Sequence, residues 1–116
     1  MKISIHGLGY VGCVGLGCLS ELGHHMIGVD VDPSKVALIQ SGKGTIIEKD
    51  IDELIASNLK KGLIQATTNS RNAIQDSGVA IICVGTPNDQ NGHLDMSQIF
   101  SVAKEIGRAL REKKDF

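Results

Sequence analysis

The sequence of 116 residues has no excess of either charge: 12 lysines and arginines stand against 13 acids, for a formal net charge of −1. The bases are interspersed with acids and form no run, which argues against a nucleic-acid partner. No apolar stretch is long enough to span a bilayer, so no membrane association is expected. The N-terminus enters a strand directly, with no sign of a secretory leader. Cysteine is scarce and odd in number: Cys13, Cys18 and Cys83. Two of them fall in one helical stretch, which predicts free buried thiols in a reducing cytoplasm. No His/Cys cluster has metal-ligand spacing. There is no internal repeat and no low-complexity linker, and the length suits one domain with a single core.

What the chain does have is concentrated in its first thirty residues. Lys2-Ile3-Ser4-Ile5-His6 reads as a strand, followed at once by Gly7-Leu8-Gly9-Tyr10-Val11-Gly12. A helix is expected from about Tyr10 to Leu22, then a second strand, Met26-Ile27-Gly28-Val29-Asp30, ending on a carboxylate. Strand, glycine-rich turn, helix, strand and acid make the dinucleotide-binding fingerprint in its expected context. Gly7 lets the chain turn out of the strand, Gly9 lets a pyrophosphate approach the backbone, and Gly12 lets the helix lie close on the sheet. The helix N-terminus then directs unpaired N–H groups and a positive dipole end at the phosphates. Asp30 follows Gly12 by 18 residues, near the usual spacing of about 20. Its carboxylate can accept bonds from both adenosine ribose hydroxyls and would repel a 2′-phosphate, so the cofactor read here is NAD rather than NADP. FAD and S-adenosylmethionine also use an acid at this place, and a glycine-rich turn without any ligand is the plainer alternative.

The remaining elements follow in order. Val11, Val14, Gly15, Cys18, Leu19 and Leu22 form the packed stripe expected of the first helix. Asp32 and Pro33 open a short helix to about Gln40. Lys35, one turn into it, is either a cation over the adenosine end of NAD or a solvated lysine. Asp50 is expected to cap a helix with Ile51, Leu54, Ile55 and Leu59 inward. Leu63–Thr67 reads as a third strand and Asn69 as the start of another short helix. Val79–Val84 is a continuous apolar strand of the kind found in buried parallel sheets. It ends in Gly85-Thr86-Pro87, where the Thr86 hydroxyl could reach the cofactor across the switch point. Asp95 with Gln98 resembles a capping box. The last helix, to about Glu112, should turn Ile99, Val102, Ala103, Ile106 and Leu110 inward. His24 and His25 are expected to be solvated, and His6 to be a core histidine with a partner. The fold class is therefore α/β, a Rossmann-type doubly wound parallel sheet in strand order 3-2-1-4. A crossover helix normally leads to a further parallel strand. The fourth strand would then be an open apolar edge, and residues 1–116 the N-terminal cofactor-binding domain of a longer protein.

Taken together, Gly7–Gly12, Ile27-Gly28-Val29-Asp30 and Ile82-Cys83-Val84-Gly85-Thr86-Pro87 resemble the UDP-glucose/GDP-mannose dehydrogenase family of nucleotide-sugar 6-dehydrogenases. The resemblance covers essentially the whole chain. Gly17-Cys18-Leu19-Ser20, Asn91-Gly92 with Leu94-Asp95, and Ile106-Gly107 with Arg111-Glu112-Lys113 look more like the GDP-mannose branch. The resemblance implies a full-length, cytoplasmic, homo-oligomeric enzyme that oxidises the C6 alcohol of a nucleotide sugar to a carboxylate. It would use two NAD in two hydride transfers, through a thiohemiacetal and a thioester on a cysteine. By motif position, Tyr10, Val11, Asp30, Lys35 and Thr86 would contact NAD, beside the glycines Gly7, Gly9 and Gly12. The family's cysteine motif is absent here, so this chain alone should not be catalytic. The loop that usually reads Glu-Pro-Gly is Glu48-Lys49-Asp50. Two other classes fit the same residues less well: a nucleotide-sensing module without chemistry, and another NAD-dependent dehydrogenase that shares only the fold.

Overall fold

Alternation along the first strand divides the molecule into two sides. The computed structural model describes residues 1–113. In β1 (Lys2–His6), Ile3 and Ile5 turn to one face of the sheet, and Ser4 and His6 to the other. The chain continues through α1 (Tyr10–Glu21), β2 (His25–Val29), α2 (Pro33–Gln40), α3 (Ile51–Lys60), β3 (Ile64–Thr67), α4 (Ser70–Asp76), β4 (Val79–Ile82) and α5 (Ser97–Glu112). The four strands are all parallel, in the order β3-β2-β1-β4. This is the expected doubly wound sheet. The main core joins Ile3, Ile5, Met26 and Ile64 to residues of α1, α2 and α3. A smaller cluster of Ile27, Val29 and Ala73 lies on the α4 side.

Local signals account for most element ends. Asp32 caps α2, its carboxylate accepting from the Ser34 amide at 2.9 Å, and Pro33 takes the first helical position. Those bonds from Ser34, the hydroxyl's first, hold the Asp32 carboxyl below its ordinary value. Asn69 caps α4 through the Asn72 amide. α1, α2 and α3 stop just before Gly23, Gly42 and Gly62.

Five expectations are corrected. First, α1 does not bury the stripe expected from its pattern. It buries Gly12, Cys13, Leu16, Gly17 and Ser20, leaving Val11 69% and Leu22 74% exposed. Close approach selects small residues: a Cβ on Gly17 would stand 2.9 Å from Leu54 Cδ2. Second, the thiols are free, but only Cys13 is buried; Cys18 is exposed and Cys83 half-buried. Third, Asp50 occupies the cap position of α3 without a side-chain cap bond, because its backbone is left-handed, with φ of 65°. Fourth, Asp95 and Gln98 form no capping box. α5 starts at Ser97, and Asp95 Oδ1 accepts from the Ser97 amide at 2.9 Å, ahead of the helix. α5 also buries Ala109 and leaves Ala103 exposed. Fifth, β4 pairs with β1 as expected but ends at Ile82 and is not buried, with Val79 39% and Ile82 40% exposed.

His6 is the core histidine expected, 2% exposed. Its Nε2 lies 3.0 Å from Ser4 Oγ. Ser4 Oγ is in turn 3.0 Å from Ser77 Oγ, which donates to the Ala73 carbonyl at 2.7 Å. Burial lowers the His6 pKa, opposed by the Glu105 carboxylate, so the ring is neutral at pH 7.

The left-handed residue at Asp50 yields a stability test. An alanine there carries a Cβ cost that glycine does not. Asp50→Gly is therefore expected to be more stable than Asp50→Ala by about 1 kcal/mol, measured by denaturant unfolding. Both variants lose the same charge, so equal stability would contradict the left-handed assignment.

Candidate functional site

The site is assembled at the C-terminal ends of β1, β2 and β4. Gly7 leaves β1 with φ of +111°, and its amide donates to the Val29 carbonyl at 2.7 Å. A Cβ on Gly7 would lie 2.7 Å from the Cys83 carbonyl oxygen, and one on Gly12 would lie 1.8 Å from the Gly7 carbonyl oxygen. The start of α1 is thus pressed against the turn with no room for a methyl group. Gly9 is the opposite case: a Cβ there would meet nothing within 4 Å. The open face of the turn is the face a phosphate would occupy.

The electrostatics suit an anion. Gly9 is the N-cap of α1 and supplies no side chain, and the first turn holds no acid. The first backbone bond of the helix runs from the Cys13 amide to the Gly9 carbonyl, so the earliest amides depend on an outside acceptor. These residues fit a dinucleotide pyrophosphate.

Asp30 stands just beyond β2, and both of its oxygens are engaged. Oδ2 accepts from the Leu8 amide at 2.8 Å and Oδ1 from the Asp32 amide at 2.9 Å. Each oxygen keeps a further lone pair for a ribose hydroxyl. The acid therefore ties the glycine-rich turn to β2 as well as facing the cleft.

A cleft of about 1020 Å³ extends from this turn toward α5. It brings together Gly7, Gly9, Asp30 and Lys35 of the expected residues. Tyr10 and Val11 sit on the first turn of α1, 58% and 69% exposed. Gly12 is buried beneath the turn, and Thr86 is half-buried beyond β4, outside the cleft lining. Cys83 does line the cleft, but burial pushes its thiol up, away from the thiolate a nucleophile requires.

Several participants were not among the expected contacts, although the family resemblance had marked the loop around Glu48. The 43–50 loop folds against the turn: Thr45 Oγ1 donates to the Leu8 carbonyl at 2.7 Å, and the Tyr10 hydroxyl donates to Glu48 at 2.5 Å. That bond, followed by the Glu48 charge, raises the Tyr10 pKa. On the far side, Arg71 and Arg108 line the cleft, with Arg71 paired to Glu112. Ser70 Oγ donates to Glu105 at 2.8 Å. No spacing rule connects these positions.

A parallel sheet with an uncapped, glycine-led helix at its switch point and a carboxylate at the end of β2 defines a dinucleotide-binding domain of the doubly wound class. Residues 1–115 match the model of the UDP-glucose/GDP-mannose dehydrogenase family, NAD binding domain. The chain belongs to that family, as its NAD-binding domain. It is 49% identical to GDP-mannose 6-dehydrogenase of Pseudomonas aeruginosa over 99% of this chain and 26% of that protein. It is 38% identical to UDP-glucose 6-dehydrogenase of Rhizobium meliloti over 96% of this chain and 26% of that protein. Its fold superposes on the crystal structure of a ternary complex of the P. aeruginosa GDP-mannose dehydrogenase with a TM-score of 0.97, covering 99% of this chain and 26% of that one. A UDP-glucose dehydrogenase from Pyrobaculum islandicum superposes with a TM-score of 0.92 at 32% identity, over 97% of this chain and 26% of that one. The chain thus spans about a quarter of the length of these relatives. Among the described residues, no helix is long and apolar enough to cross a membrane.

Two glycines separate folding from binding. Gly9→Ala meets no protein atom, so its melting temperature should stay within about 2 °C of wild type while NAD binding is lost. Gly12→Ala should be destabilised by more than about 3 kcal/mol, the upper end of ordinary overpacking. Calorimetric unfolding with NAD titration checks both; a Gly9→Ala chain that still binds NAD normally would contradict the phosphate placement.

Proposed function

We propose that this chain is the cofactor-binding part of a nucleotide-sugar 6-dehydrogenase of the GDP-mannose type, acting in the cytoplasm as a homo-oligomer. The enzyme would oxidise the C6 alcohol of GDP-mannose to the uronate with two NAD. The observation that carries the cofactor placement is the open face of Gly9 beneath the uncapped start of α1, beside Asp30. The choice of GDP-mannose over UDP-glucose is supported by the higher identity to GDP-mannose 6-dehydrogenases. Substrate contacts and the catalytic cysteine are assigned to a part of the enzyme beyond residues 1–116. No cysteine of this chain takes that role: Cys13 is buried, Cys18 lies on the outer side of α1, and the Cys83 thiol is held protonated.

In this reading NAD, when bound, is the hydride acceptor. The chain's own residues bind and orient it. Gly7 and Gly12 set the turn against α1, and Gly9 with the first amides of α1 receives the pyrophosphate. Tyr10 and Val11 flank it on the exposed first turn. Asp30 accepts from the adenosine ribose hydroxyls, and Lys35, half-buried on α2 and lining the same cleft, places a cation near that end. Thr86, beyond β4, lies on the side of the switch point where the nicotinamide half would extend.

Calorimetric titration of the chain with NAD, NADP and S-adenosylmethionine tests this. NAD alone should bind. In Asp30→Asn the preference for NAD over NADP should narrow by about tenfold or more, because a carboxylate no longer repels the 2′-phosphate. Equal binding of NAD and NADP by the wild-type chain would contradict the role given to Asp30.

A further inference from the structure

We propose that Thr45 is a positioning residue for the dinucleotide-binding turn, acting through the backbone of Leu8. The proposal rests on the NAD reading above and assigns a task to the loop that leads into Glu48-Lys49-Asp50, where this chain departs from the family's usual Glu-Pro-Gly. Leu8 lies at the centre of Gly7-Leu8-Gly9, with its side chain fully buried. Both of its backbone polar groups are satisfied by side chains from other elements. Its amide donates to Asp30 Oδ2 at 2.8 Å, and its carbonyl accepts from Thr45 Oγ1 at 2.7 Å. Neither bond belongs to a helix or a strand ladder.

The consequence follows from peptide geometry. The Leu8–Gly9 peptide is planar and trans, so the Leu8 carbonyl and the Gly9 N–H point in opposite directions. By holding the carbonyl down toward the 43–50 loop, Thr45 keeps the Gly9 N–H up, where a phosphate oxygen would sit. Rotation of that peptide would instead present a carbonyl oxygen to the phosphate, which is repulsive. Thr45 is itself held. Its amide donates to Cys13 Sγ at 3.4 Å, and the Gly44 amide donates to Asp52 Oδ1 at 2.8 Å. Gly44 packs so closely that a Cβ would stand 2.8 Å from Ile51 Cγ2. The loop is thus anchored to α1 and α3 at the point from which the Thr45 hydroxyl reaches the turn.

The test compares the whole chain with Thr45→Val, which keeps the shape and removes the hydroxyl, and Thr45→Ser, which restores it. Two readouts are taken: the dissociation constant for NAD, and amide hydrogen exchange without ligand. Thr45→Val should weaken NAD about tenfold, the loss of one well-placed hydrogen bond, and speed exchange of the two protected amides at the turn, Leu8, bonded to Asp30 Oδ2, and Cys13, bonded to the Gly9 carbonyl. Thr45→Ser should bind and exchange within about twofold of wild type. Thr45→Val behaving as wild type in both readouts would overturn the proposal. So would equal weakening in Val and Ser, or exchange that rises throughout the chain rather than at the turn. Failure of the wild-type chain to bind NAD would overturn the cofactor reading instead, while the exchange comparison still decides whether Thr45 holds the turn.

Discussion

The contact between α1 and the turn after β1 constrains everything else in the site. It is a meeting of two backbones: the space between Gly12 and the Gly7 carbonyl cannot hold a methyl group. This approach brings the N-terminus of α1 over the switch point, where its unpaired amides face outward. It also brings Leu16 onto the sheet beside Gly28, where an added Cβ would lie 3.4 Å from Leu16 Cδ2 and 3.0 Å from Leu8 Cδ2. Leu8, Cys13 and Leu16 then join Ile5, Met26 and Ile39 in one core. Packing and cofactor geometry are therefore set by the same residues.

A turn shaped for a ligand leaves its own polar groups to be satisfied. Here they are met from two sides, by Asp30 at the end of β2 and by Thr45 from the 43–50 loop. The cost of an unmet buried carbonyl, about 1–3 kcal/mol, makes these bonds matter to the shape of the turn and not only to its stability. The opposite face of β1 carries a second polar arrangement, Ser77–Ser4–His6, which closes on the Ala73 carbonyl. It secures α4 to the sheet without exposing a charge.

The strand order and the cofactor motif were legible because they rest on strong local signals: apolar runs, glycines at fixed offsets and a carboxylate at the end of β2. The buried face of α1 was not. Hydrophobic pattern favours the residues with most volume, whereas a helix packed this closely turns Gly12, Gly17 and Ser20 inward and leaves Val11 and Leu22 outside. Asp50 looked like a cap by residue type, but its left-handed backbone turns the side chain away from that task. The apolar run Val79–Val84 suggested burial while the strand order 3-2-1-4 implied an open apolar edge, and the exposed Val79 and Ile82 of β4 follow the strand order rather than the run. The family resemblance marked the loop around Glu48, but Thr45 and the partners of both residues were illegible, because Leu8 and Tyr10 lie nearly forty residues away and meet them only through the folding of α2 and α3.

The most direct measurement of the central claim is backbone amide chemical-shift mapping of the chain titrated with NAD. Shifts concentrated at Gly7–Val11, at Asp30–Asp32 and around Val84–Thr86 are predicted, following the C-terminal edge of the sheet from β2 to β4. Shifts confined to the α4–α5 side of the cleft, or none at saturating NAD in a folded chain, would contradict it.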